Sequence, residues 1–295
     1  MNKITRISSL IIMAVCVLLL VQITGCGEGA DGTADGDVMD ASGAPALPPD
    51  ESLTVDLSAF NDGESMVPEI PDTGNAIQQS PGTPVAGENY TNAATRVVTI
   101  NTAIASALAF PTGLFKMAKD TVPVKQSDGS WVWSYSMTYD VFVVDSKLIG
   151  VPDGDKTYWT MKVSVDNPII PITDFEWYTG MSTESNTSGS WQFNDMYTPT
   201  EQNPTVKLDW SVEVLRENVD LIIENIDTRS DYLGDVLLYN VKPGIASMSF
   251  NDISEGEMWD IIWDVETGAG SITVPNYKSG EKSCWDAQKQ DIQCY

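Results

Sequence analysis

The side chains that most often carry chemistry are unevenly supplied in this sequence: 42 aspartates and glutamates, four cysteines and not one histidine. Without imidazole there is no Ser-His-Asp or Cys-His nucleophilic unit and no histidine metal ligand. Acid–base work on a glycoside would need two carboxyls facing each other across a cleft, about 5 or 6.5–9.5 Å apart. The candidates Asp209, Glu213, Asp260, Asp264 and Glu266 sit on the face opposite the tryptophan-bearing one, which is the pattern of a solvated outer surface. No GxSxG elbow, Walker loop or glycine-rich dinucleotide turn occurs. A metal site would have to be all-oxygen and suited to calcium. Asp31, Asp35 and Asp37 occupy positions 1, 5 and 7 of an EF-hand-like register with Gly36 at position 6, but Ser42 stands where the bidentate Glu belongs. The stretch therefore reads as acidic linker. The residues point to no catalytic group, no metal and no cofactor. A formal net charge of −26 excludes nucleic-acid binding through a basic surface.

The aromatic residues are the more informative set. All nine tryptophans lie between Trp131 and Trp285. If the strands around them form a closed sheet, Trp131, Trp133, Trp159, Trp210, Trp259 and Trp263 point to its interior. Three readings stay open: they fill a core, they line a cavity for an apolar ligand, or several stand on an open face where flat rings stack against sugars. The polar loop from Gly180 to Gly189 would rim such a site.

The first 25 residues form an export signal. Lys3 and Arg6 precede an apolar run from Leu10 to Val21, and the stretch has no acid. A dozen apolar residues are too few for a spanning helix, which needs about 20. The run ends in Ile23-Thr24-Gly25-Cys26, which resembles the lipobox of bacterial lipoproteins. The resemblance implies cleavage before Cys26, acylation of its sulfur and of the new amino terminus (the palmitate-type modification), and stable membrane attachment through several chains. Gly27 stands where an Asp would resemble the inner-membrane retention signal of enteric bacteria, so an outer-membrane anchor is expected, with the domain in the periplasm or at the cell surface. Cys16 leaves with the signal and Cys26 carries lipid. Cys284 and Cys294 are left to form a local disulfide; redox-active thiols usually sit in CxxC, and only Lys282 and Lys289 lie nearby.

Residues 26–90 read as the lipidated cysteine followed by an acidic, disordered tether. Thirteen acids lie between Glu28 and Glu88, with no Lys or Arg until Arg96. The alternation of Leu53, Val55 and Leu57, followed by Phe60, predicts that part of this tether docks on the domain as an edge strand. The domain spans 91–295. Its one helical stretch is Asn92–Lys119, with Val97, Ile100, Ile104 and Leu108 on one face and a break near Phe110 ahead of Pro111. The period then switches to two, and about ten strands follow, the cleanest being Val206–Val214. Short turns and no intervening helices predict a mainly β fold, an antiparallel meander curled into an open or closed barrel. Around Leu221-Ile222-Ile223 and Val236-Leu237-Leu238 both faces are apolar. The helix is therefore expected to lie on the strands near 219–241 or to plug the mouth they form.

The combination of lipobox, acidic tether, helix, tryptophan-rich meander and terminal Cys284-Trp285-Asp286…Cys294 resembles β-rich envelope lipoproteins, and loosely the half-barrel carriers of the LolA/LolB and lipocalin type. What the resemblance implies is a membrane-anchored, non-enzymatic domain that binds a lipid or other hydrophobic ligand in its interior. The alternative is a cell-envelope module that recognises glycans or a protein partner through exposed aromatics around a filled core.

Overall fold

The computed structural model of the protein describes residues 42–60, 86–139, 142–166, 171–196, 198–213 and 217–294. The signal, the lipobox with Cys26 and the Asp31–Asp37 register lie outside these residues. Fourteen strands form one antiparallel sheet, each paired with the next in sequence: β1 (Val124–Lys125), β2 (Trp131–Tyr139), β3 (Phe142–Asp153), β4 (Lys156–Asp166), β5 (Ile172–Thr183), β6 (Ser188–Asn194), β7 (Pro204–Glu213), β8 (Asn218–Asn225), β9 (Val236–Lys242), β10 (Ile245–Asp252), β11 (Glu257–Asp264), β12 (Gly270–Thr273), β13 (Ser283–Trp285) and β14 (Asp291–Ile292). The meander is as expected, but there are four more strands, and β1 does not pair with β14, so the barrel is not closed. Three of the additional strands, β1, β13 and β14, are two or three residues long. The fourth, β3, hides from a hydrophobicity reading because two of its inward positions are Ser146 and Gly150, both buried.

What replaces closure is the helix α1 (Glu88–Lys119). It packs against β12, β13 and β14 at one end of the sheet and against β2 and β3 at the other, so the two ends curl around a common helix. It does not cover the outer face of the strands near 219–241, the first of the two placements expected. The outward side chains Ile222 and Leu238, cross-strand neighbours on β8 and β9, stay 44% and 40% exposed. Nor does α1 break near Phe110. It runs through Pro111 and bends by 58° between Ile104 and Ala107, one turn earlier. The displacement has a simple cause: Pro111 has no N–H for the Ala107 carbonyl and its ring crowds that carbonyl, so the bend falls at i−4.

Asn89 bolts the start of the helix to the end of the chain. Its backbone N–H donates to Asp291 Oδ1 (2.9 Å) and its Nδ2 to the Cys284 carbonyl (2.7 Å), while its Oδ1 accepts from Tyr277 Oη and Lys278 Nζ. Gly87 N–H adds a bond to the Lys289 carbonyl at 2.7 Å. The Cys284–Cys294 disulfide, with Cα atoms 5.3 Å apart, closes the tail that carries these acceptors. At the far end Tyr135 Oη donates to the Leu114 carbonyl.

All nine tryptophans are on strands and buried, none more than 6% exposed. Their register explains how so many large rings fit on the inside of a curled sheet. Trp131 on β2 faces Gly150 on β3, which faces Trp159 on β4, which faces Gly180 on β5, which faces Trp191 on β6. The pattern repeats in Gly189–Trp210 and in Trp263–Gly270–Trp285. Side chains on a concave face converge, so large residues must alternate with small ones. Here the rings lie over the glycines: a Cβ at Gly189 would come within 2.6 Å of Trp210 Cζ2, one at Gly270 within 2.5 Å of Trp285 Cζ2, and one at Gly180 would collide with Trp191.

Two alanine substitutions separate this steric role from glycine's general flexibility. Gly180→Ala is expected to destabilise by about 1–3 kcal/mol through overpacking. Gly113→Ala, in α1 with nothing within 4 Å of its would-be Cβ, is expected to stabilise by about 0.5–1 kcal/mol. Urea unfolding of both variants checks the pair.

Candidate ligand-binding face

The concave face is the only place where the predicted aromatic residues come together. Trp131, Trp133, Trp159, Trp210, Trp259 and Trp263 belong to one contiguous core, spread over β2, β4, β7 and β11. They do not surround an empty chamber. Helix α1 occupies part of the interior through Leu114 and Phe115, whose ring meets Trp191 edge-on at 5.7 Å. The rest is covered by the segment 42–60, hereafter the strap.

The strap is not an edge strand. It forms two 3-10 turns, Asp50–Leu53 and Ser58–Phe60, and it crosses the strands instead of running along one. Asn186, at the β5–β6 turn, donates to the carbonyls of Ala46 (2.8 Å) and Leu47 (3.4 Å). Trp191 Nε1 on β6 donates to Ser52 Oγ at 3.4 Å, and Thr112 Oγ1 of α1 to the Leu53 carbonyl at 3.4 Å. Tyr239 Oη on β9 donates to the Asp56 carbonyl and accepts from the Asp56 N–H. Phe60 ends the path, edge-on to Trp263 of β11 at 5.1 Å and stacked on Tyr90 of α1 at 5.9 Å. The alternation noted in the sequence is kept in burial although no strand forms: Leu53 (3%) and Leu57 (5%) are buried, Val55 is half-buried against the same core, Thr54, Asp56 and Ser58 are exposed, and Phe60 (3%) is buried at the end. Each such burial contributes about 1.5–3 kcal/mol.

Among the described residues, no backbone–backbone hydrogen bond joins 44–60 to the sheet or to α1. The strap is held by side chains: the apolar contacts above, the bonds just named, and the Lys119–Asp50 ion pair at 2.5 Å. Beneath it the interior keeps unused polarity. Trp210 Nε1 and Tyr178 Oη are buried and have no hydrogen-bond partner among the described residues. Burial pushes the Tyr178 phenol well above its ordinary value, with the neighbouring Tyr135 adding to the effect.

The sequence gives Arg96 no role, yet it borders a groove of about 550 Å³ between α1 and the β10–β11 hairpin. Its guanidinium lies 6.0 Å from the Trp259 ring centroid, and its Nε donates to Asn92 Oδ1 at 3.1 Å. Thr95, Thr99, Phe250 and Asp252 complete the walls. The loop expected over Gly180–Gly189 shrinks to residues 184–187, because Gly180–Thr183 continue β5 and Ser188–Gly189 begin β6.

The carboxylates lie elsewhere. Asp209, Ile222, Leu238, Ser249 and Asp260 follow one another across the convex side of β7 to β11. Four strand spacings of ~4.8 Å put the two aspartates about 19 Å apart along the sheet, too far for a glycosidase pair. No group of three or more Cys, Asp or Glu side chains among the described residues is placed to hold a metal ion.

The strap's bond to Tyr239 should be visible in the alkaline stability profile. Burial raises this phenol from 10.0 to about 12. The folded protein therefore favours the neutral form, so the contribution is fully present below about pH 10 and is lost as pH rises through about 12. Tyr239→Phe should lose less stability than the wild type across that window; parallel profiles would count against the assignment. No family model, characterised protein or solved structure matches the chain.

Proposed function

We propose that this is a lipid-anchored, non-enzymatic protein of the cell envelope, held at the outer membrane through Cys26, whose β-domain binds a lipid or other hydrophobic ligand on its concave face. The observation that carries the reading is the nature of the covering on that face. Nine buried tryptophans line a sheet whose ends do not pair, and part of their cover is a strap whose residues 44–60 make no backbone–backbone hydrogen bond to the sheet among the described residues. A linear apolar molecule makes the same kind of contact as Leu53, Leu57 and Phe60. The lipobox Ile23-Thr24-Gly25-Cys26 supports the anchor and the export signal supports the location.

The alternative, a module for envelope glycans or a protein partner, draws support from one place. The α1–β10 groove joins the edge of Trp259 to Arg96 and to hydroxyl and carboxylate groups, a mixture suited to a polar ligand.

Mass spectrometry tests both halves of the leading reading. Under denaturing conditions the purified wild type should carry the added mass of acyl chains on the peptide that begins at Cys26, and Cys26→Ser should not. Native spectra of the Cys26→Ser chain should show co-purified lipid; its repeated absence would contradict ligand binding, and an unmodified Cys26 would contradict the anchor.

A further inference from the structure

We infer that the strap is an intramolecular competitor for the ligand site: residues 44–60 occupy the aromatic interior in place of an acyl chain and leave when one enters. This rests on the reading of the concave face as the ligand site and adds its regulation.

Four observations converge on it. The strap crosses the strands from Trp131, against which Gly43 sits, past Trp191 and Tyr239 to Trp263, the course a long flexible molecule would take over the tryptophan–glycine rungs. Its apolar side chains Leu53, Leu57 and Phe60 enter the core while Thr54 and Asp56 stay outside it. That is an amphipathic chain with its own polar side, unlike the surrounding strands. Each of its hydrogen bonds named above has a side chain on the sheet or α1 as one partner, and no backbone–backbone bond joins 44–60 to them among the described residues, so withdrawal breaks no sheet ladder and leaves β1 to β14 paired as they are. Finally, the interior retains the Nε1 of Trp210 and the Oη of Tyr178 as buried, unpaired donors among the described residues. A carboxylate or ester head on an incoming chain would have partners there that the strap does not use.

The mechanism is a competition between two occupants of one face. A ligand's apparent affinity scales with the fraction of molecules whose strap is withdrawn, so a seated strap weakens binding. The strap also continues toward Cys26, so whatever displaces it frees chain on the side of the membrane anchor. Occupancy of the interior and reach of the domain from the membrane are thereby linked.

The test titrates the fluorescent fatty acid cis-parinaric acid into the mature chain carrying Cys26→Ser, which removes the protein's own acyl groups as competitors. Two variants release the strap, Leu53→Asp with Leu57→Asp and the milder Leu57→Ala. A third, Asp50→Cys with Lys119→Cys joined by a short bismaleimide, locks it, and its unbridged form is the control. Release should tighten binding at least tenfold, and the bridge should weaken it at least tenfold against the control. Equal binding by released, parental and bridged forms would overturn the competition while leaving the ligand site standing. No binding by any form, including a released variant that keeps the parental near-ultraviolet circular dichroism, would remove the ligand site itself. If the double aspartate variant fails to fold, Leu57→Ala and the bridge give the same discrimination.

Discussion

The structure depends on tryptophan rings lying over glycines of the adjacent strand. A sheet that curls brings its inward side chains together, and an interior of uniformly large residues could not be packed at ordinary density. Alternating Trp131, Gly150, Trp159, Gly180 and Trp191 across five strands resolves the crowding. Each ring fills the volume its neighbour lacks. The arrangement also restricts register, because a one-residue slip would turn every ring to the convex side and every outward Thr, Lys or Asp to the core.

From that constraint the remaining architecture follows. The curl brings the early and late strands toward one another without pairing them, and α1 bridges the interval. The helix is fastened at its start to the C-terminal strands through Asn89 and near its end to β2 through Tyr135. Because α1 fills only part of the concavity, a stretch of aromatic surface is left over. The strap covers it with Leu53, Leu57 and Phe60, drawn from a segment otherwise acidic and poor in apolar residues. The strap, α1 and the sheet thus share one core.

Much of this was legible beforehand because strands advertise themselves through alternation. The strand expected from Val206 appears as β7, which runs to Glu213, and the terminal cysteines could be paired by elimination. The failures have physical causes. Gly150 and Ser146 broke the alternation of β3, since in a curled sheet an inward position can require a small residue. The apolar outward residues Ile222 and Leu238 implied a cover, but exposed apolar surface is common enough that it does not dictate one. Leu53, Val55 and Leu57 alternate and all three meet the core, yet the segment crosses the strands in two 3-10 turns instead of joining an edge, a difference that side-chain alternation does not encode. Tryptophans could be assigned to an interior; which glycine each covers depends on strand pairing, and pairing is set by turns whose lengths the pattern leaves loose.

The chemistry proposed for the molecule is that of a surface that holds a ligand. Asp235 aside, the described carboxylates lie outside the buried core, the interior is aromatic, and the acidity is a property of the solvated exterior and of the N-terminal segment. The central claim is that a hydrophobic ligand meets the concave tryptophan face. Photo-crosslinking with a diazirine-bearing fatty acid, followed by mapping of the modified peptides, measures this directly. The account predicts adducts on peptides carrying Trp131, Trp159, Trp191 or Trp210. Adducts confined to the convex residues around Ile222 and Leu238, or to the groove at Arg96 and Trp259, would contradict it.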